Sequence, residues 1–215
     1  CIEGEGTERI WIKGVKTLHD TEYTIMADRI AAGTYMAAAA AVGGEIVLKG
    51  IHIENVRAVA DVLVESGCGL IIYKESIKII APSMLLAVKE IETEPYPGFP
   101  TDLQSVFLAA EASGTGESQI RETVYEARFE AAVRLASFGA DVSVHGDTAI
   151  IKGRYPLLPG VVETPDLRGG AALLVAALSA GGLSVVSDRG HLKRGYEDIG
   201  RDLRILGADI EENIL

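Results

Sequence analysis

Apolar positions along the chain fall into three groups that repeat one plan. Each group opens at an aspartate (Asp28, Asp102, Asp166) and runs through an alanine-rich stretch that is apolar on nearly every side. A glycine-bearing turn follows (Gly43-Gly44, Gly114 and Gly116, Gly181-Gly182), then a short strand, a second helix and a closing glycine (Gly67, Gly139, Gly207). The aspartate lies 15, 14 and 15 positions before the middle glycine and 39, 37 and 41 before the closing one. Units that recur every 64 to 74 residues are too long for a solenoid, so each reads as a supersecondary module around a shared core.

The pattern within each unit predicts its elements. Strands are expected at 45–49, 118–121 and 183–187, and second helices from about Val56, Phe129 and Tyr196. Ala58, Val59, Val62 and Leu63 recur at i, i+1, i+4 and i+5, and Ala132, Val133, Ala136 and Ser137 approximate the same spacing, which lines one helix face. The closing glycines stand where a helix ends in the left-handed conformation. Further strands are expected at 70–72 with 76–80, at 141–145 with 149–152, and from Asp209 onward. Each unit therefore reads β-α-β-α-β-β. A first helix that is apolar all round, as at 36–42 and 171–177, belongs in the interior. The fold class expected is α/β, with buried helices inside and sheets outside. One domain spans 1–215, in units of about 8–81, 82–152 and 153–215.

Composition narrows the function classes. With 31 acidic and 20 basic residues the net charge is −11, which argues against a general nucleic-acid binder. Hydrophobic residues at 48% exclude disorder as the main state. The longest apolar run, 31–42, is broken by Gly33 and Thr34 and is too short to span a membrane. Cys1 and Cys68 form no disulfide framework, and His19, His52, His145 and His191 are scattered, so no metal site is expected. No signal peptide is visible, and a cytoplasmic location follows. A start at Cys1 rather than Met is read as the middle of a longer chain.

Candidate chemistry gathers at the helix starts. Thr101-Asp102-Leu103-Gln104 has the capping-box pattern, with Thr101 as cap, and Thr164-Pro165-Asp166 offers a capping Thr before a Pro at the first helical position. Asp102 and Asp166 then either serve the helix dipole or mark an anion site at free N–H groups. Arg168, in a first turn, opposes the dipole by roughly 0.3–1 kcal/mol; a bound phosphate or carboxylate would reverse that sign, the alternative being a solvated or salt-bridged arginine. Arg29 has the same placement beside Asp28. Arg128 and Arg194 precede the second helices of their units, and Arg57 holds a comparable place in the first. By themselves these three read as surface charges. Pro97-Gly98-Phe99-Pro100 delivers Asp102 on a stiff loop, which suits a general base.

The stretches Pro97-Gly98-Phe99-Pro100-Thr101-Asp102-Leu103-Gln104, Glu122-Thr123-Val124-Tyr125-Glu126-Ala127-Arg128-Phe129, Asp166-Leu167-Arg168 and Arg194-Gly195-Tyr196-Glu197 resemble the enolpyruvyl transferase family, most closely its UDP-N-acetylglucosamine 1-carboxyvinyltransferases. Gly6-Thr7-Glu8-Arg9-Ile10, Asp28-Arg29-Ile30 and Gly33-Thr34 extend the likeness over essentially the whole chain. The resemblance implies an inside-out α/β, barrel-like domain that forms the C-terminal half of a two-domain enzyme. Its partner is the N-terminal half, which carries the proton-donor loop, a Lys-Asn pair and much of the uridine site. Neither Cys1 nor Cys68 matches the proton donor.

By that resemblance, the enzyme transfers the enolpyruvyl group of phosphoenolpyruvate to the 3-hydroxyl of UDP-N-acetylglucosamine, the first committed step of peptidoglycan synthesis, without metal or organic cofactor. Asp102 would bind the sugar nucleotide and act as base, and Val124 would contact the same substrate. Arg128, Arg168 and Arg194 would hold phosphoenolpyruvate. Gly169-Gly170 stands where many members carry Ala-Ser, which predicts a weaker helix start and a less firmly held Arg168. Competing readings are the shikimate-pathway enzyme of the same architecture, an inactive half-domain that binds anions weakly, and a purely structural repeat protein.

Overall fold

Residues 1–126 and 128–212 are described by a computed structural model of the chain. Ala127 of the second motif and residues 213–215 of the third unit lie outside them. Three helices form the centre: α1 (Arg29–Val42), α3 (Gln104–Ala112) and α5 (Leu167–Leu178). All three pack on one another. Nearly every α3 side chain is buried, together with Met36 and Ala37 of α1 and Ala171, Ala172 and Leu173 of α5, as expected of helices without a polar face. A Cβ at Gly33 would run into the Leu103 side chain, so glycine lets α1 approach the entry to α3.

Around these helices lie three separate sheets. Strands β3 (Gly44–Lys49), β4 (Gly69–Tyr73) and β5 (Ser76–Ala81) form an antiparallel sheet in the order β3-β5-β4. The second sheet joins β6 (Glu90–Glu92), β7 (Glu117–Arg121), β8 (Asp141–His145) and β9 (Thr148–Lys152) in the order β6-β7-β9-β8. Only β10 (Val161–Glu163) and β11 (Val185–Ser187), paired in parallel, make the third. Ile77 and Ile79 of β5, Ile120 of β7 and Ile151 of β9 are buried on the helix side, alternating with more exposed neighbours. The second helices are α2 (Arg57–Glu65), α4 (Glu130–Leu135) and α6 (Ile199–Ile205). A short ladder of β1 (Ile2–Glu3) and β2 (Trp11–Ile12) stands at the N-terminal end.

The α/β class and the buried first helices are observed, with four corrections. The full β-α-β-α-β-β order is present in the second unit and, through β2, in the first, where β2 pairs with β1 and not with β3. In the first, β3 has no parallel partner, and in the third no strand follows α6 among the described residues. No closed barrel forms among them. The expected threonine caps are also absent. Asp28 caps α1 by accepting from Ile30 and Ala31 N–H, and Asp166 caps α5 by accepting from Arg168 and Gly169 N–H. Thr101 instead begins a 3-10 turn, Thr101–Leu103, and Gln104 is buried without reaching back. The helix expected from Tyr196 starts at Ile199, because Asp198 accepts from Arg201 N–H at 2.8 Å. Gly67, Gly139 and Gly207 do close their helices at positive φ (92°, 70° and 103°).

One charge-bearing group is sealed in this core. Glu111, near the C-terminal end of α3, is 2% exposed. Its Oε2 accepts from Val88 N–H at 3.1 Å and from Ser118 Oγ–H, and Oε1 has no partner. Burial pushes its carboxyl up to about 7, against the pull of those hydrogen bonds. The raised value makes the folded state bind the proton more tightly than the unfolded chain. The resulting stability is complete below pH 4.5 and is lost as pH rises to about 7. The loss amounts to about 3 kcal/mol. Glu111→Gln is expected to remove this slope, read by urea unfolding at about pH 5 and about pH 8; an unchanged slope would mean that Glu111 is not its source.

Candidate active site

The 3-10 turn before α3, the segment before α4 and the first turn of α5 converge on one carboxylate. Asp102 Oδ1 accepts from Arg128 Nη1 at 2.8 Å, and Oδ2 accepts from Arg168 Nη2 at 2.8 Å. Side-chain exposure is 37% for Asp102, 21% for Arg128 and 16% for Arg168. The cluster is thus partly withdrawn from water, where charge-assisted bonds strengthen. Burial alone would raise the Asp102 carboxyl, but the Arg128 hydrogen bond and the charges of both guanidiniums hold it below its ordinary value. It is ionised at neutral pH.

Each guanidinium has further support. Arg128 lies over the Tyr125 ring, 5.1 Å from its centroid, and its Nη1 also donates to Thr101 Oγ1 at 3.1 Å. Thr101 in turn donates to Glu122 Oε2 at 2.8 Å. Arg168 sits at the second position of α5, where the dipole opposes it, and the neighbouring unit's Asp102 offsets that penalty. The helix start at Gly169-Gly170 is capped and packed. Asp166 caps the helix, Asp102 holds the guanidinium, and a Cβ at Gly169 would meet Pro165 Cγ at 2.6 Å.

Arg194 ends the 3-10 turn Leu192–Arg194 and is exposed, without an ion pair among the described residues. Its neighbour Gly195 abuts the cluster: a Cβ there would lie 2.8 Å from Leu167 Cδ2 and 3.4 Å from Arg168 Nη1. Tyr196, which follows, is buried and shares a 2.8 Å hydrogen bond with Thr34 of α1. Burial raises the Tyr196 phenol, opposed by that bond and by Arg168. Val124 is exposed on the turn after β7, with its N–H bonded to Glu122 Oε1 at 2.9 Å. From the first unit, Arg29 stacks on the Tyr96 ring at 4.9 Å, and it lines a shallow depression with Arg57, Pro97 and Pro100.

Asp102, Arg128 and Arg168 therefore touch, and the turn bearing Arg194 lies beside them. The supporting Glu122 and Tyr196 went unassigned in the sequence and Thr101 was read as a helix cap, although the Glu122-Thr123-Val124 motif and a charged residue directly after a strand mark the place of Glu122. Among the described residues, no group of three or more His, Cys, Asp or Glu side chains is placed to hold a metal ion.

The family model described as EPSP synthase (3-phosphoshikimate 1-carboxyvinyltransferase) matches residues 1–203. The chain belongs to this family of enolpyruvyl transferases. UDP-N-acetylglucosamine 1-carboxyvinyltransferase 2 of Caldanaerobacter subterraneus subsp. tengcongensis is 44% identical over 209 residues, covering 97% of this chain and 50% of its own length. The UDP-N-acetylglucosamine 1-carboxyvinyltransferase of Magnetococcus marinus is 41% identical over 210 residues, covering 98% and 50%. Among solved structures, the enolpyruvyl transferase NikO from Streptomyces tendae superimposes with a TM-score of 0.79 at 28% identity, over 88% of this chain and 45% of that one. EPSP synthase from Acinetobacter baumannii, at 21% identity and a TM-score of 0.76 over 100% of this chain and 53% of its own, shares the fold. This enolpyruvyl transferase chain spans about half the length of the curated relatives it matches.

Replacing Asp102 by Asn should leave two guanidiniums facing each other without a counter-charge. The expected loss is about 1 kcal/mol at neutral pH, allowing for solvent screening of partly exposed pairs. Because the folded-state carboxyl lies below its ordinary value, the difference from the parent should shrink as pH falls through that lowered value. Thermal melts across acid pH check this; a destabilisation that persists undiminished in acid would assign the effect to packing instead.

Proposed function

We propose that this chain supplies one half of the interdomain site of an enzyme that moves the enolpyruvyl group of phosphoenolpyruvate to the 3-hydroxyl of UDP-N-acetylglucosamine, the first committed step of peptidoglycan synthesis. Two relatives at 44% and 41% identity over nearly the whole chain carry that activity in their names. The observation that carries the reading for these residues is the single carboxylate shared by two guanidiniums, with a third arginine on the adjoining turn. Three arginines gathered about one shared carboxylate suit a small anion with both phosphate and carboxylate groups.

In the reaction, the sugar hydroxyl oxygen bonds to carbon 2 of the enol as carbon 3 gains a proton. Asp102 takes the hydroxyl proton. The adduct then loses phosphate from carbon 2 and a proton from carbon 3, leaving the enolpyruvyl ether. With both oxygens bonded to arginine, Asp102 is a weak base. Arrival of the phosphoenolpyruvate anion gives Arg128 and Arg168 a competing partner. Each bond they release lets the Asp102 carboxyl rise toward its ordinary value, so substrate binding itself arms the base. Val124 lies against the sugar nucleotide, and Arg194 closes on phosphoenolpyruvate. Stabilisation is electrostatic and draws on no metal or organic cofactor. The family resemblance puts the proton donor at carbon 3 in an N-terminal half; within this chain Cys68 is buried with its thiol pushed up to about 11. On this reading residues 1–215 form one inside-out domain of a cytoplasmic enzyme.

In the full-length protein, Arg128→Ala and Arg168→Ala should each lower kcat/KM for phosphoenolpyruvate by roughly 10²–10³-fold, and Asp102→Ala should lower kcat by roughly 10²–10⁴-fold. Steady-state phosphate release measures all three. Unchanged rates in both arginine variants, or turnover of shikimate 3-phosphate in place of UDP-N-acetylglucosamine, would sink the assignment. The chain by itself is expected to release no phosphate from the two substrates.

A further inference from the structure

The second and third units share a side-chain device that the reaction outlined above does not use. In the second, the parallel β6–β7 ladder ends with Glu92 opposite Arg121, and Thr93 N–H then donates to Arg121 C=O at 2.9 Å. At the next register position Thr93 Oγ1 donates to Glu122 Oε1 at 2.7 Å. In the third, the β10–β11 ladder ends with Glu163 opposite Ser187, and Thr164 N–H donates to Ser187 C=O at 2.9 Å. At the next position Thr164 Oγ1 donates to Asp188 Oδ1 at 2.7 Å. Thr93, Glu122 and Thr164 are all buried.

Each acid then gathers the turn that follows it. Glu122 accepts from Val124 and Tyr125 N–H, both at 2.9 Å. Asp188 accepts from Gly190, His191 and Leu192 N–H at 3.1, 3.0 and 3.3 Å. Burial works against ionisation of Asp188, but the bonds from Thr164 and these N–H groups outweigh it and hold its carboxyl below the ordinary value. In both units an arginine stands six residues after the acid: Arg128 after Glu122, Arg194 after Asp188. The first unit has Gly50 after β3, and its Arg57 makes no ion pair among the described residues.

We propose that Glu122 and Asp188 are paired positioning residues, each fastening the turn that aims an active-site arginine, Arg128 or Arg194. The second unit adds one link. Glu122 accepts a hydrogen bond from the Thr101 hydroxyl, which turns a Thr101 lone pair toward Arg128 Nη1. A glutamine at 122 could still accept from the backbone, but its NH2 group would donate to Thr101 Oγ1 and compete there with Arg128. Asp188 acts on Arg194 through the backbone alone. The two acids should therefore have different kinetic signatures.

The inference rests on the functional reading above, and one experiment separates the two. In the full-length protein, Asp188→Asn should raise KM for phosphoenolpyruvate by about 10–100-fold while KM for UDP-N-acetylglucosamine holds. Glu122→Gln should raise both, because Val124 hangs on the same carboxylate. Thr93→Ser and Thr164→Ser, which keep the hydroxyl, should restore most of what Thr93→Val and Thr164→Val lose. Kinetic constants within about twofold of the parent in Glu122→Gln and Asp188→Asn, alongside inactive Arg128→Ala and Arg194→Ala, would overturn the positioning role and leave the enzyme assignment standing. Losses that track melting temperature alone and are not rescued by serine would also overturn it. Full activity in the two arginine variants would remove both.

Discussion

Three helices with no polar side can exist in water only by packing on one another, and this constraint sets out the rest of the molecule. Once α1, α3 and α5 share a centre, their N-terminal ends still carry unpaired N–H groups and need partners. Asp28 and Asp166 answer this locally for α1 and α5. At α3 the chain enters through a 3-10 turn, and the aspartate there is left free to face outward. The acid that looks equivalent in all three units is therefore a cap in two and the centre of a charge cluster in the other.

That cluster exists because neighbouring units meet at these ends. Arg168 alone would be mismatched with the dipole of α5, and Asp102 alone would be a partly buried charge without a partner. Brought together with Arg128 they satisfy one another through two bonds of 2.8 Å. The carboxylate held in this way is ionised at neutral pH.

Much of this was legible in the sequence because it depends on short-range pattern. Glycines at matching intervals and apolar periodicity gave the three units and their buried helices, and Arg168 was already conspicuous as a cation at the wrong end of a helix. The misses are of another kind. Thr101 looked like a cap because the local pattern allows it, but Glu122, twenty-one residues away in sequence, accepts its hydroxyl proton. The expected strand after Asp209 carries the right residues, yet a strand exists only with a neighbour to pair with, and none lies beside it among the described residues. Long-range hydrogen bonding leaves no period to read.

Repetition also explains how the site diversified. The second and third units keep the same threonine–acid pair at the same register position, with the same six-residue offset to an arginine, although Glu and Asp differ in length. The longer side chain reaches past the turn to Thr101 and so ties Arg128 to the entry of α3. The shorter one bonds Thr164 and its own turn, and Arg194 is exposed. In the first unit glycine stands in the acid's place, and that unit contributes instead through Thr34 on Tyr196 and Arg29 on Tyr96. One arginine is thereby bonded to the entry of the neighbouring helix, and the other stands exposed without an ion pair among the described residues.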